Sequence, residues 1–250
     1  LDGGPPFALG AEIPLARSGA PRVPLVDLSP EEDGHWLFRS VAFFQGAPFD
    51  PNPTTCFTCH PGGASDGNND SPTGRQVPAL FDSADTAPFG WQAQIADDLL
   101  AVVSGAFATH GIFPGAPPPG ADALILAFLE NAMTTPPSPF LEADGALSAE
   151  AGAGQVLFEG VAGCAACHPA PLFIPAPPAP LTIAEGVGTG LAPVNVPSLR
   201  GLWNTAPYLH DGSAARLIDV LTRDTGGQHG ATSGLDAQEL AALIAYLNAI

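Results

Sequence analysis

The four cysteines of this 250-residue chain form two copies of one short motif, with no cysteine left over. In each copy two residues separate the cysteines and a histidine follows directly, the pattern C-x-x-C-H. This is the attachment sequence of c-type haem, because each thiol can add to one vinyl group of the porphyrin and the histidine can then ligate the iron. The sequence therefore predicts two covalently bound haems, held by Cys56, Cys59 and His60 and by Cys164, Cys167 and His168.

Cysteine pairs also form disulfides, zinc sites and redox-active dithiols. A zinc site of four cysteines needs no histidine directly after each pair, and a redox-active dithiol needs only one motif. The repeated pentapeptide favours haem over all three alternatives. Because haem is attached in this way outside the cytoplasm, we expect a periplasmic or extracellular protein whose signal peptide has been removed.

The chain contains an internal duplication. Residues 77–88 (VPALFDSADTAP) and residues 196–207 (VPSLRGLWNTAP), which we call the VP boxes, share six identical positions at a constant offset of 119. A repeat of this length indicates two copies of one fold. Apolar residues recur with helical spacing at Leu240, Leu243 and Leu247, whereas strand patterns are almost absent.

These patterns predict an all-α chain of two tandem haem domains with long loops rich in proline and glycine. Each domain is expected to begin with a helix, continue through the haem motif, the VP box and a middle helix, and end with a C-terminal helix. This arrangement is similar to the class I cytochrome c fold. The expected organisation is a Pro-rich N-terminal arm at 1–26, a first cytochrome c-like domain at 27–134, a linker at 135–147 and a second domain at 148–250.

The stretch from Val196 to Ser213 (VPSLRGLWNTAPYLHDGS) resembles the bacterial di-haem cytochrome c peroxidase family, which includes enzymes that mature protein-derived quinone cofactors. The resemblance implies a tryptophan between the two domains, at the position of Trp91, which acts either as a packing aromatic or as an electron relay. His210 is the repeat partner of Trp91. The resemblance implies that His210 donates or accepts hydrogen bonds around the second haem, with ligation of the iron as the alternative.

Three positions depart from the peroxidase pattern. Peroxidases of this family carry a displaceable distal histidine, a catalytic glutamate, and a methionine or tyrosine ligand in the second domain. The corresponding positions here are Gln76, Gly111 and Asp224. These differences argue for an electron carrier, with a di-haem peroxidase or peroxidase-like oxidase as the alternative.

Two further histidines are candidates for the sixth ligand of each iron. His110 and His229 differ by the same offset of 119, and a glycine follows each of them. Both are expected in Gly-rich loops ahead of the last helix of a domain. We therefore predict bis-histidine coordination by His60 with His110 and by His168 with His229. The alternative is that His110 and His229 are solvent-exposed loop residues.

Other candidate ligands carry weaker signals. Arg75 and Arg200 flank the two VP boxes and are candidates for pairing with haem propionates, with surface arginine as the alternative. Asp66, Asn68 and Asp70 have the oxygen spacing of a calcium loop, although the glycine and the glutamate of such a loop are missing. Calcium is therefore a possible additional ion.

The charge of the chain limits its partners. It carries 25 acidic residues and only 7 basic ones, all arginine, for a formal net charge of −18. This balance argues against nucleic acid and anionic lipid as partners, and no apolar stretch reaches the roughly 18 residues that a membrane span needs. We expect a redox partner with a basic docking face. Homo-oligomers, including a haem-lined filament, are a further alternative.

Overall fold

All regular secondary structure in the described part of the chain is helical. Its regular elements are helices and helical turns, and its only extended pairings are two isolated bridges, Phe89 with Ile95 and Tyr208 with Ala214. This confirms the all-α prediction. None of its helices has the length and apolarity of a membrane-crossing segment. The computed structural model describes residues 34, 55–67, 75–95, 97–110, 112, 116–117, 119–175, 195–223 and 229–250.

The duplication seen in the sequence recurs in the structure. The 3₁₀ turns at Ser83–Asp85 and Leu202–Asn204 occupy equivalent places in the two VP boxes, and two more lie at Pro61–Gly63 and Cys164–Ala166. The two isolated bridges are also related by the offset of 119. The α-helices of the described residues are α1 (Cys56–Cys59), α2 (Leu99–His110), α3 (Ala121–Asn131), α4 (Ala149–Glu159), α5 (Leu217–Leu221) and α6 (Ala237–Ala249).

Capping side chains set the start of α4 and of α6. The Ser148 hydroxyl accepts a hydrogen bond from the Ala151 N–H at 3.1 Å, which satisfies one of the open donors at the start of α4. The Asp236 carboxylate accepts from the Glu239 N–H at 2.9 Å, and the Glu239 carboxylate accepts from the Asp236 N–H at 2.8 Å. This reciprocal pair is a capping box, and it fixes where α6 begins.

Helices α4 and α6 cross with their backbones in contact. A Cβ atom on Gly154 of α4 would overlap the carbonyl oxygen of Ala242 and lie 2.9 Å from the Cβ atom of Tyr246. Gly34 occupies the equivalent place in the first half, where a Cβ atom would overlap the carbonyl oxygen of Leu124 in α3. Glycine is required at both crossings because any side chain would push the helices apart.

Two separate hydrophobic clusters form the core. The first includes Phe81, Phe107 and Phe128, and Cys56 of the first haem motif packs against it. In the second, the Phe158 ring is flanked by the rings of Phe173 and Tyr246 at centroid distances of 6.0 and 5.3 Å. Cys164 of the second motif packs against this cluster. Each attachment motif therefore lies at the edge of its own apolar core.

The two halves meet through a reciprocal set of hydrogen bonds. The backbone N–H of Gln76 donates to the carbonyl of His210 at 2.7 Å, and that of Asn195 donates to the carbonyl of Trp91 at 2.9 Å. Gln76 and Asn195 are repeat partners, and so are Trp91 and His210. The bonds are thus related by a pseudo-two-fold axis. We call these four residues the amide junction.

The side chains of the amide junction repeat the same exchange. The Asn195 Nδ2 atom donates to the carbonyl of Pro88 at 2.7 Å, and the Gln76 Nε2 atom donates to the carbonyl of Pro207, the repeat partner of Pro88. The residue directly before each VP box therefore donates one backbone and one side-chain hydrogen bond to the opposite half.

Replacing Gly154 tests the close crossing of α4 and α6. We expect Gly154→Ala to lower the free energy of unfolding by about 1–3 kcal/mol, because its methyl group has no room against Ala242. Gly152 on the same helix is the matched control, since nothing lies within 4 Å of a Cβ atom placed there. Gly152→Ala should be neutral or stabilising by about 0.5–1 kcal/mol. Equal effects of the two changes in guanidinium unfolding, followed by circular dichroism, would contradict the crossing.

Candidate haem sites

The first haem motif lies on a single helical turn. The Thr55 N–H donates to the Thr58 hydroxyl at 3.0 Å, which holds the start of α1. The His60 N–H donates to the carbonyl of Cys56 at 2.8 Å and closes the turn. The two thiols and the imidazole are therefore brought together by local backbone geometry.

The second motif closes with the same bond. The His168 N–H donates to the carbonyl of Cys164 at 2.9 Å, and Gly163, with a positive φ of 67°, directs the chain into this turn. The turn is 3₁₀ at Cys164–Ala166, whereas the first motif is α-helical. None of the four cysteines forms a disulfide, and all four are partly buried. Both motifs thus present two thiols and one imidazole from one turn.

Burial keeps both motif histidines neutral. Removal of the imidazole from water lowers the pKa of His60 and of His168 to about 4, so the uncharged ring, the form that ligates iron, dominates at neutral pH. The Nδ1 atom of His168 lies 3.0 Å from the carbonyl oxygen of Phe173. Because a carbonyl only accepts, Nδ1 carries the hydrogen and Nε2 keeps its lone pair for iron.

A cavity of about 260 Å³ opens beside the second motif. Cys164, Cys167 and His168 all line it, together with mainly apolar side chains such as Leu199 and Leu217. A dry apolar wall with two thiols and a neutral imidazole fits a covalently attached porphyrin. The residues present therefore match the cofactor that the motif predicts.

The candidate sixth ligands lie near the motif histidine of their own half. His229 lines the same cavity as His168, and its charge further lowers the pKa of His168. Desolvation lowers the pKa of His229 itself, although part of the residue is exposed. The charge of His110 likewise lowers the pKa of His60. It is an exposed residue at the end of α2, not a loop residue as the sequence suggested.

Trp91 and His210 meet at the wall of the second cavity. Both line it, although Trp91 belongs to the first half of the duplication. Their rings are edge to face with centroids 6.1 Å apart, and the Trp91 Nε1–H donates to the carbonyl of Gln76 at 3.0 Å. His210 is 6% exposed. Because His210 and His229 line the same cavity, both stay in reach of a haem bound there.

Arg200 contacts the other half of the protein. Its Nε atom lies 3.2 Å from the Oδ2 atom of Asp82, whose side chain is only 7% exposed. The same carboxylate accepts from the Thr135 N–H at 3.2 Å and from the Thr135 hydroxyl. The guanidinium therefore has a protein partner where the sequence suggested a propionate. Arg75, the other propionate candidate, is partly exposed.

The calcium candidate falls mostly outside the described residues. Asn68 and Asp70 lie outside them, as do Gly111 and Asp224. Across the described ranges, no three His, Cys, Asp or Glu side chains gather in a way that could hold a metal ion.

Sequence reasoning missed the residues that join the two halves. A glutamine and an asparagine stand at equivalent positions directly ahead of the two VP boxes, and this pairing was the available signal for Gln76 and Asn195. Asp82 is the repeat partner of Gly201, and both have positive φ angles, 53° and 75°. An aspartate where the repeat has a glycine indicates a left-handed backbone position.

Comparisons with known proteins found similar sequences for parts of the chain. A family model described as RoxA-like, cytochrome c-like matches residues 195–226, which contain the second VP box and His210. Hydrazine synthase subunit gamma of Kuenenia stuttgartiensis is 29% identical over 45% of this chain and 44% of its own length. The chain is similar to cytochrome c-like proteins of the di-haem type. Its cofactors are covalently bound c-type haems. The matched part spans less than half the length of that curated relative.

Solved structures of similar fold match most of this chain. Kuenenia stuttgartiensis hydrazine synthase has a TM-score of 0.66 at 23% identity and covers 94% of this chain and 98% of its own. A MauG-like protein associated with microbial copper homeostasis has a TM-score of 0.63 at 21% identity. The match covers 92% of this chain and 91% of that protein's chain. The diheme peroxidase BthA from Burkholderia thailandensis has a TM-score of 0.53 at 14% identity. The match covers 88% of this chain and 85% of the peroxidase chain. These likenesses confirm the fold of two tandem cytochrome c-like units.

Removing the Asp82 carboxylate tests the ion pair between the halves. We expect Asp82→Ala to lower the free energy of unfolding by about 1–3 kcal/mol, because Arg200 and Thr135 lose a nearly buried acceptor. The exposed Asp97 is the matched control, and Asp97→Ala should change stability by less than about 0.5 kcal/mol. Equal losses for the two variants in guanidinium unfolding would show that the pair contributes nothing.

Proposed function

We propose that this protein carries single electrons, accepting them at one haem and passing them through the second to a partner, with two histidines on each iron. The main support is that His168 and His229 line one cavity. His60 and His110 hold the equivalent positions in the duplicated half. The electrostatic influence of His110 on His60 is consistent with this pairing.

The cofactor supplies a one-electron couple when it is bound. The protein side chains set its environment. His168 is oriented by its Nδ1–H bond to Phe173, while apolar side chains of the cavity exclude water. With His229 as its second ligand, the iron would have no open position for a peroxide. Two imidazole ligands favour the oxidised state more than a thioether does, so we expect lower potentials than in His/Met cytochromes.

The role of Gln76 also favours electron transfer over peroxide chemistry. It stands at the position of the distal histidine of the peroxidases that the chain resembles. Here its side-chain amide donates to Pro207 and lies 3.3 Å from the Ser65 hydroxyl. An amide engaged in joining the two halves is not available as a displaceable ligand or as an acid–base group.

A di-haem peroxidase is the second candidate. The observation in its favour is the exposure of His110 at the end of α2, since an exposed ligand can leave an iron without disturbing a packed core. The diheme peroxidase BthA shares the fold. Release of His110 would open one haem to peroxide, and steady-state turnover of hydrogen peroxide with a reduced donor separates the two candidates.

The organisation and location that fit this role follow the sequence expectations. We place the haem domains at residues 27–134 and 148–250, in line with the two hydrophobic clusters, with an arm at 1–26 and a linker at 135–147. A protein with attached c-type haem is expected outside the cytoplasm. A haem-lined filament of stacked subunits remains a third arrangement, and negative-stain microscopy distinguishes it.

Removing one candidate ligand at a time tests the coordination. We expect His229→Ala to convert one haem from low spin to high spin in the electron paramagnetic resonance spectrum, and His110→Ala to convert the other. His35→Ala is the control, because His35 has no histidine partner in the repeat. A His229→Ala spectrum identical to that of the unchanged protein, with a high-spin signal in His210→Ala, would assign the second ligand to His210.

The charge of the protein predicts how its partner associates. With a net charge of −18, it should reduce or oxidise a lysine-rich mitochondrial-type cytochrome c at a second-order rate that falls about tenfold between about 0.01 M and about 0.15 M salt. Stopped-flow absorbance measures this rate. An acidic flavodoxin is the control, and its rate should rise with salt. A rate with the basic probe that does not depend on salt would contradict electrostatic steering.

A further inference from the structure

Gln76 makes contacts with both halves through three different groups. Its N–H donates to the carbonyl of His210 at 2.7 Å, its carbonyl accepts from Trp91 Nε1–H at 3.0 Å, and its side-chain amide donates to Pro207. The residue is 5% exposed. One buried residue therefore determines where an aromatic ring from the first half and an imidazole from the second half lie.

The orientation of the Gln76 amide follows from its partner. The carbonyl of Pro207 only accepts hydrogen bonds, so the Nε2 group faces it and Oε1 points away. Among the described residues, Oε1 is buried without a hydrogen-bond partner. An unmet buried acceptor is destabilising, so the glutamine keeps one unfavourable group in order to bond the carbonyl of Pro207.

Asn195 supplies the second half of the same arrangement. Its N–H fixes the carbonyl of Trp91, and its amide fixes Pro88, the residue three positions before Trp91. Trp91 is thus held at its backbone by one amide residue and at its indole nitrogen by the other. The side chain of Gln76 also reaches Ser65, five residues after His60. The contacts therefore extend from the first haem motif to the wall of the second cavity.

We propose that Gln76 and Asn195 are positioning residues for electron passage between the two haem sites. They hold the rings of Trp91 and His210 edge to face at the wall of the second cavity. A small change in the distance between these rings would alter the rate of electron transfer. The transfer moves one electron from the reduced iron of one haem to the oxidised iron of the other and forms or breaks no bond. This inference rests on the proposed electron-transfer function.

The test is the rate of electron transfer within the intact di-haem protein after rapid photoreduction of one haem. Gln76→Met and Asn195→Leu keep side-chain volume and the backbone bonds, but they remove the side-chain bonds to Pro207 and Pro88, each three residues before His210 or Trp91. Each should slow the intramolecular step several-fold, because the rate of electron transfer falls steeply as the groups between the two haems move apart. Gln238→Met, at an exposed glutamine in the first turn of α6, is the control and should leave the rate unchanged.

Asp82→Ala distinguishes positioning from mere stability of the interface. It weakens the contact between the halves without touching Trp91 or His210, so it should lower stability and leave the intramolecular rate unchanged. Equal slowing by Asp82→Ala and Gln76→Met would overturn the proposal, and so would a normal rate in both amide variants. If Gln76→Met does not fold, Gln76→Asn keeps the amide but is too short for Pro207, and it should show the same slowing.

The midpoint potentials of both haems complete the test. They should stay within the error of the unchanged protein in Gln76→Met, because the proposal assigns the amide to geometry and not to iron ligation. Shifted potentials that account for the whole rate change would overturn it. An unchanged protein that shows no intramolecular transfer at all would instead contradict the proposed function, and the two failures are thereby distinguished.

Discussion

The closure of each haem motif into a single turn is the constraint on which the rest of the protein depends. The bonds from His60 N–H to Cys56 and from His168 N–H to Cys164 place two thiols and one imidazole within one turn of backbone. Because Cys56 and Cys164 pack against the two hydrophobic clusters, a porphyrin attached at either motif would lie beside the core of that half. Gly34 and Gly154 let the flanking helices approach closely enough to complete that core.

Duplication supplied two such turns, and divergence made them unequal. The amide junction keeps the two-fold relation in its backbone bonds, with Gln76 and Asn195 as equivalent donors. The rings that these bonds hold are different, since Trp91 stands where the other half has His210. A symmetric framework with different residues at equivalent positions therefore gives the two haem motifs different surroundings.

Local patterns in the sequence predicted most of the fold. The two motifs, the VP repeat and the helical spacing in α6 are short-range signals, and the structure confirms the helices and the duplication. Contacts between the halves could not be predicted, because a repeat does not state how its copies face each other. Arg200 illustrates this limit: its ion pair with Asp82 depends on tertiary placement alone. His110 was expected in a loop because the following glycine suggested one, yet helix α2 continues to it.

The central claim is that both irons carry two histidine ligands, and the oxidised, unmodified protein tests it most directly. Near-infrared magnetic circular dichroism combined with low-temperature electron paramagnetic resonance reports the axial ligands of each haem. The account predicts two low-spin haems, each with the charge-transfer band of bis-imidazole coordination. A thioether band from either haem, or a high-spin signal amounting to one haem per chain, would contradict it.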